Sequence, residues 1–67
     1  MMEVTVIYER NEHKKEISEN TTIKEVLESM DISSETVVVK KNNEIVMDEE
    51  NLNDADVIEV IRVIYGG

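Results

Sequence analysis

The two glycines of this chain are its last two residues, Gly66 and Gly67, preceded by Ile64 and Tyr65. At ordinary glycine usage of about 7%, two glycines fall on the final two places of such a chain roughly once in two thousand arrangements. Lacking a Cβ, glycine lets a backbone lie flat in a narrow channel and leaves its carbonyl carbon open to attack from either side. The residue types at this end therefore point to the C-terminal carboxylate of Gly67 as the reacting group. The competing reading is an inert frayed end, the usual behaviour of chain termini.

No other residues form a catalytic constellation. His13 is the only histidine, lies near an expected hairpin turn and reads as a solvated surface residue. Ser18, Ser29, Ser33 and Ser34 have no second base to draw on. The acid run Asp48-Glu49-Glu50 and the pair Asp54/Asp56 lack the alternating ligands and central glycine of a calcium loop, so they read as solvated turns. No metal site and no glycine-rich phosphate loop is expected, and no resident cofactor. With no cysteine there is neither a disulfide, a zinc thiolate nor a thiol nucleophile.

Sixteen acidic residues against seven basic ones give a net charge of −9, which repels nucleic-acid phosphates and suits a partner with a basic groove. There is no apolar leader region and no long apolar run, so neither a signal peptide nor a membrane span is expected. The default expectation is a soluble cytoplasmic protein, monomeric when free. At 67 residues the chain is one domain near the lower limit for independent folding, with a thin core.

The elements that must carry the tail can be read from pattern. Val4-Thr5-Val6-Ile7-Tyr8 is β-branched and aromatic, and a segment ending at Ile17 returns as the second arm of a hairpin. Thr22 and Glu25 stand at capping-box spacing before Ile23, Val26, Leu27 and Met30, which make one apolar stripe on a helix of two to three turns. Asp31 to Glu35 reads as a polar connector. Thr36 to Val39 is a strand, Asn42-Asn43 a turn and Glu44 to Met47 a short return strand. Leu52 reads as a single apolar plug, Asn53 to Asp56 as a turn, and Val57 to about Ile64 as the central strand of the sheet. The order predicts an α+β domain, with a four- to five-stranded mixed sheet folded over one helix and the last strand between the first and third. Its bounds are residues 1–64, followed by a flexible tail over 65–67.

Strand parity then assigns faces. If Ile58 and Val60 meet the helix, Ile61 turns outward. By the same alternation Val4, Val6, Val37 and Val39 point inward, leaving Ile7 and Val38 outside. Ile7, Val38 and Ile61 thus form a candidate docking patch.

The element order and the run from Leu52 through Asn53-Asp54-Ala55-Asp56 and Val57 to Tyr65-Gly66-Gly67 resemble the ubiquitin-like β-grasp proteins of the ThiS/MoaD sulfur-carrier group. The likeness extends to the ubiquitin-related modifier of tRNA thiolation and the small archaeal modifier proteins, and spans the whole chain. The stretch from Val37 to Val46, with its Asn42-Asn43-Glu44 turn, is also similar. Ala55 stands where these proteins commonly have glycine between two acids, and is expected to avoid the left-handed conformation.

The resemblance implies a carrier that is a substrate, not an enzyme. A partner adenylating enzyme of the ubiquitin-activating type would use ATP to turn the Gly67 carboxylate into an acyl-adenylate, and a sulfur donor would convert it to a thiocarboxylate. A sulfur-accepting synthase would follow, serving thiamine, molybdopterin or tRNA thiolation. Gly66 would give clearance in the enzyme channel, and Ile64 and Tyr65 would seat the tail. Extended, residues 63–67 reach about 17 Å. Two alternatives use the same fold: a protein modifier joined to target-protein lysines through Gly67, and an interaction module whose tail is never activated.

Overall fold

The computed structural model describes residues 2–63. Its elements are β1 (Met2–Tyr8), β2 (Asn11–Ile17), α1 (Ile23–Ser29), a short 3-10 turn (Ser34–Thr36), β3 (Val37–Lys41), β4 (Glu44–Val46) and β5 (Val57–Arg62). The sheet order is β2-β1-β5-β3-β4. β5 runs parallel to β1 and antiparallel to β3, so the expected mixed sheet with the last strand at its centre is what forms.

The helix is short because its ends are closed by specific groups. Thr22 Oγ1 accepts from the Glu25 N–H at 3.2 Å and Glu25 Oε1 accepts from the Thr22 N–H at 3.1 Å, completing the capping box. The Ile23 and Lys24 N–H groups donate to the carbonyls of Glu50 and Asp48, and Val26 to that of Thr22. All four N-terminal donors of the helix are thereby satisfied, two of them by the loop that follows β4. At the other end Asp31 takes a left-handed φ of 62°. Its N–H donates to the Glu28 carbonyl while that of Ile32 donates to Leu27, a Schellman closure with aspartate where glycine is usual.

That closure turns Ile32 into the core. The segment from Asp31 to Glu35 is therefore more than a polar connector: Ile32 is buried with Val4, Val6, Ile23, Val26, Leu27, Val39, Leu52, Ile58 and Val60. Leu52 is fully buried, as a plug should be. Thr36 belongs to the 3-10 turn, so β3 begins one residue later than its β-branched run suggests. β4 ends at Val46 and β5 at Arg62.

Both hairpins close through two residues at positive φ, Glu9 and Arg10 in the first and Asn42 and Asn43 in the second. Such turns match the twist of the strands they join. Ala55 also adopts the left-handed conformation, with φ 69°, contrary to the expectation that alanine would avoid it. Its surroundings impose the angle. The Ala55 N–H donates to the Glu3 carbonyl at 2.8 Å, and Asp54 Oδ1 accepts from the Glu3 N–H at 2.9 Å. The Thr5 N–H then donates to the Asp56 carbonyl, so the turn is pinned to β1 just before β5 enters the sheet.

Candidate functional site

Gly66 and Gly67, the candidate reacting residues, and Ile64 and Tyr65, the candidate seating residues, lie outside the described residues, as does the expected flexible tail over 65–67. The structure describes the platform from which that tail continues. β5 occupies the middle of the sheet, and beyond it the Val63 N–H donates to the Thr36 carbonyl at 3.1 Å. The last described residue is thus still tied to the start of β3.

On β5 the faces alternate as parity demands. Ile58 and Val60 are buried against the helix, while Val57, Ile61 and Val63 are exposed. Of the three patch residues, Val38 and Ile61 stand directly opposite each other across β3 and β5. Ile61 is 39% exposed and Val38 half-buried. Ile7 stands opposite Glu59, two residues along β5 from Ile61. Lys40 faces Glu59 from the other side. A shallow depression of about 390 Å³ here is lined by Ile7, Val57, Lys40, Glu59, Asn42 and Asn43. The three residues share a face, but only Val38 and Ile61 form a pair; Glu59 separates Ile7 from β3.

Three acids of the two turns expected to be solvated have structural work: Asp54, already described, Asp56 and Glu50. Asp56 is 8% exposed; its carboxylate accepts from the Asn53 N–H at 2.8 Å and from Asn42 Nδ2 at 3.2 Å. Lys41 Nζ lies 3.0 Å from Glu50 and 4.0 Å from Asp56. A carboxylate this enclosed is accommodated because donors surround it. No sequence period marks Asp56, because its donors come from the β3–β4 turn and from three residues upstream. His13 lies on the exposed edge strand β2 opposite Val6. Among the described residues no group of three or more histidines, aspartates or glutamates could hold a metal. No helix among them is long and apolar enough to cross a membrane.

A five-stranded mixed sheet in this order over one capped helix, with β5 carrying the chain toward a terminal Gly-Gly, defines a ubiquitin-like β-grasp protein. Two solved structures agree. A ubiquitin of Caldiarchaeum subterraneum superposes with a TM-score of 0.70 at 17% identity, over 98% of both chains. A ubiquitin-like protein of the same archaeon gives 0.64 at 16%, over 97% of this chain and 100% of that one. At such identities the likeness concerns the fold. The ThiS family model matches residues 3–67, and the chain belongs to the ThiS family. It is 35% identical over 52 residues to the sulfur carrier protein TtuB of Thermus thermophilus, covering 78% of this chain and 80% of that protein. Proteins of this family are small carriers and not enzymes themselves.

Proposed function

We propose that the Gly67 carboxylate is the cargo site of this carrier. A partner enzyme adenylates it with ATP, forming the acyl-adenylate and releasing pyrophosphate. A donor then delivers sulfur at the sulfide level to the carbonyl carbon, the C–O bond to AMP breaks as the C–S bond forms, and a thiocarboxylate remains for a sulfur-accepting synthase. A carboxylate needs this activation because its charge repels nucleophiles, and adenylation replaces an oxyanion with a good leaving group. The observation that carries the reading is the family match itself, whose bounds, residues 3–67, take in Gly66-Gly67.

In this reading Gly66 supplies clearance, Ile64 and Tyr65 seat the tail, and the activating enzyme docks on the outward face at Val38 and Ile61, with Ile7 flanking. The ten residues of the buried core cluster all lie between Val4 and Val60, which supports treating changes at Gly66 and Gly67 as changes to the cargo site and not to that cluster. The protein acts in the cytoplasm, where the activating enzyme has ATP.

ATP–pyrophosphate exchange with the adenylating enzyme tests this. Deleting Gly66-Gly67, or adding one residue after Gly67, is expected to abolish exchange and leave the thermal midpoint unchanged, since an added residue moves the reacting carbon about 3.4 Å onward. Exchange at the wild-type rate by an untrimmed extended protein would remove the proposal in favour of an interaction module. Intact mass of native protein separates carrier from modifier: replacement of oxygen by sulfur marks the first, whereas lysine conjugates on a denaturing gel without it mark the second.

A further inference from the structure

The two edges of the sheet are built differently. β2 presents Glu12, His13, Lys14, Lys15 and Glu16 along one edge, the dense charge with which sheets guard against strand addition. β4, at the other edge, is three residues long and carries Ile45, followed by Met47; they are 71% and 73% exposed, more than any other large hydrophobic residue described.

The backbone there is open as well. The Asn42 N–H donates to the Val57 carbonyl and the Val63 N–H to the Thr36 carbonyl, so the even-numbered residues of β3 bond toward β5. Its odd-numbered residues face β4. Val39 and Lys41 meet Val46 and Glu44, but the ladder stops there. Among the described residues the Val37 carbonyl has no donor from β4 or the loop after it. By the same alternation the N–H and C=O of Ile45 point away from the sheet at its free edge. Beside this edge runs a groove of about 280 Å³, with Val37, Val38, Val46 and Met47 and the acids Glu35 and Asp48 among its lining.

We infer that the β4 edge and this groove bind an extended segment of a partner protein, one with alternate apolar residues flanked by lysine or arginine. The backbone of such a segment pairs with the N–H and C=O of Ile45, and its apolar side chains cover Ile45 and Met47 and enter the groove. Its basic ends meet Glu35, Glu44 and Asp48. Charge selects this occupant over a second copy of the chain, which would bring another net charge of −9 to the same place. The inference stands whether or not Gly67 is activated.

The test is a nuclear magnetic resonance titration of the full chain with the blocked peptide RVTVTVK and with EVTVTVE as its charge-reversed control. Expected are saturable shifts at the amides of Val37, Ile45, Val46 and Met47, with Ile45 amide exchange slowed at least tenfold. The control binds at least fivefold more weakly. Ile45→Asp and Met47→Asp each weaken binding at least fivefold without moving the thermal midpoint, both side chains being exposed. The inference is overturned by an absence of saturable shifts at excess peptide, or by shifts centred on Ile7, Val57 and Ile61. It is also overturned if these amides move with protein concentration in the absence of peptide, which makes a second copy the occupant. A chain truncated after Val63 that reproduces the shifts without peptide makes the tail the occupant and ends it equally.

Discussion

Val38 on β3 and Ile61 on β5 stand directly opposite each other on the outward face of the sheet, one register step from Val39 and Val60, which are buried beneath the helix. Adjacent residues on one strand therefore have opposite duties. Ile61→Asp is expected to change stability by about 1 kcal/mol or less, the scale of surface and strand-propensity effects. Val60→Asp places an unpaired charge where Val60 is 5% exposed and costs several kcal/mol. At about 0.05–0.15 kcal/mol per residue the whole domain holds only roughly 3–10 kcal/mol, so the second variant unfolds. Circular dichroism melts separate the two, and weaker binding of Ile61→Asp to the adenylating enzyme in a pull-down checks the docking face. Equal loss of fold would mean that the faces are reversed.

Removal of the Asp56 carboxylate should be felt across two turns. Asp56→Ala leaves the Asn53 N–H without its acceptor and frees Asn42 Nδ2, and is expected to cost about 1–3 kcal/mol. Asp56→Asn keeps one acceptor oxygen and costs less. Urea midpoints for both variants test the order, and a neutral Asp56→Ala would refute the bonding described here.

Ala55→Gly should stabilise the protein. An L-residue pays roughly 1–2 kcal/mol in the left-handed region, and glycine returns part of that as extra freedom in the unfolded chain. A net gain of about 0.5–1 kcal/mol is expected, read as a higher thermal midpoint. A lower midpoint would mean that Ala55 is not held at positive φ.

Leu52→Ala probes the loop that closes the helix. The fully buried Leu52 donates its N–H to the Thr21 carbonyl, while the neighbouring Glu50 and Asp48 carbonyls take the Ile23 and Lys24 donors. Truncating the side chain is expected to cost about 2–5 kcal/mol, most of the stability of so small a domain. Hydrogen exchange should show the first turn of the helix opening along with the loop. Continued protection of Ile23 and Lys24 in this variant would show that the plug and the cap are independent.

What could be read from the chain alone was what is local or periodic. The capping box needs only Thr22 and Glu25, three residues apart, and the Asn42-Asn43 turn only residues that tolerate positive φ. The alternation of β5 needs only the twofold period of a strand, which sufficed to send Ile58 and Val60 inward and Ile61 outward. The proposal for Gly66 and Gly67 likewise starts from composition and position alone.

The rest depended on bonds that no periodic or compositional pattern announces. Ile32 looked like part of a polar connector, and became core because the Schellman closure at Asp31 turned it inward. Asp56 looked solvated, and is enclosed because Asn42 and Asn53 converge on it. Ala55 was expected to avoid a left-handed angle, and is forced into one by hydrogen bonds between its turn and Glu3. At Asp56 and Ala55 a local preference of about 1–2 kcal/mol yields to bonds from Asn42 and Glu3, both distant in the chain. Only the tertiary structure could decide that competition, because Asn42 and Glu3 meet these residues only once the sheet has formed.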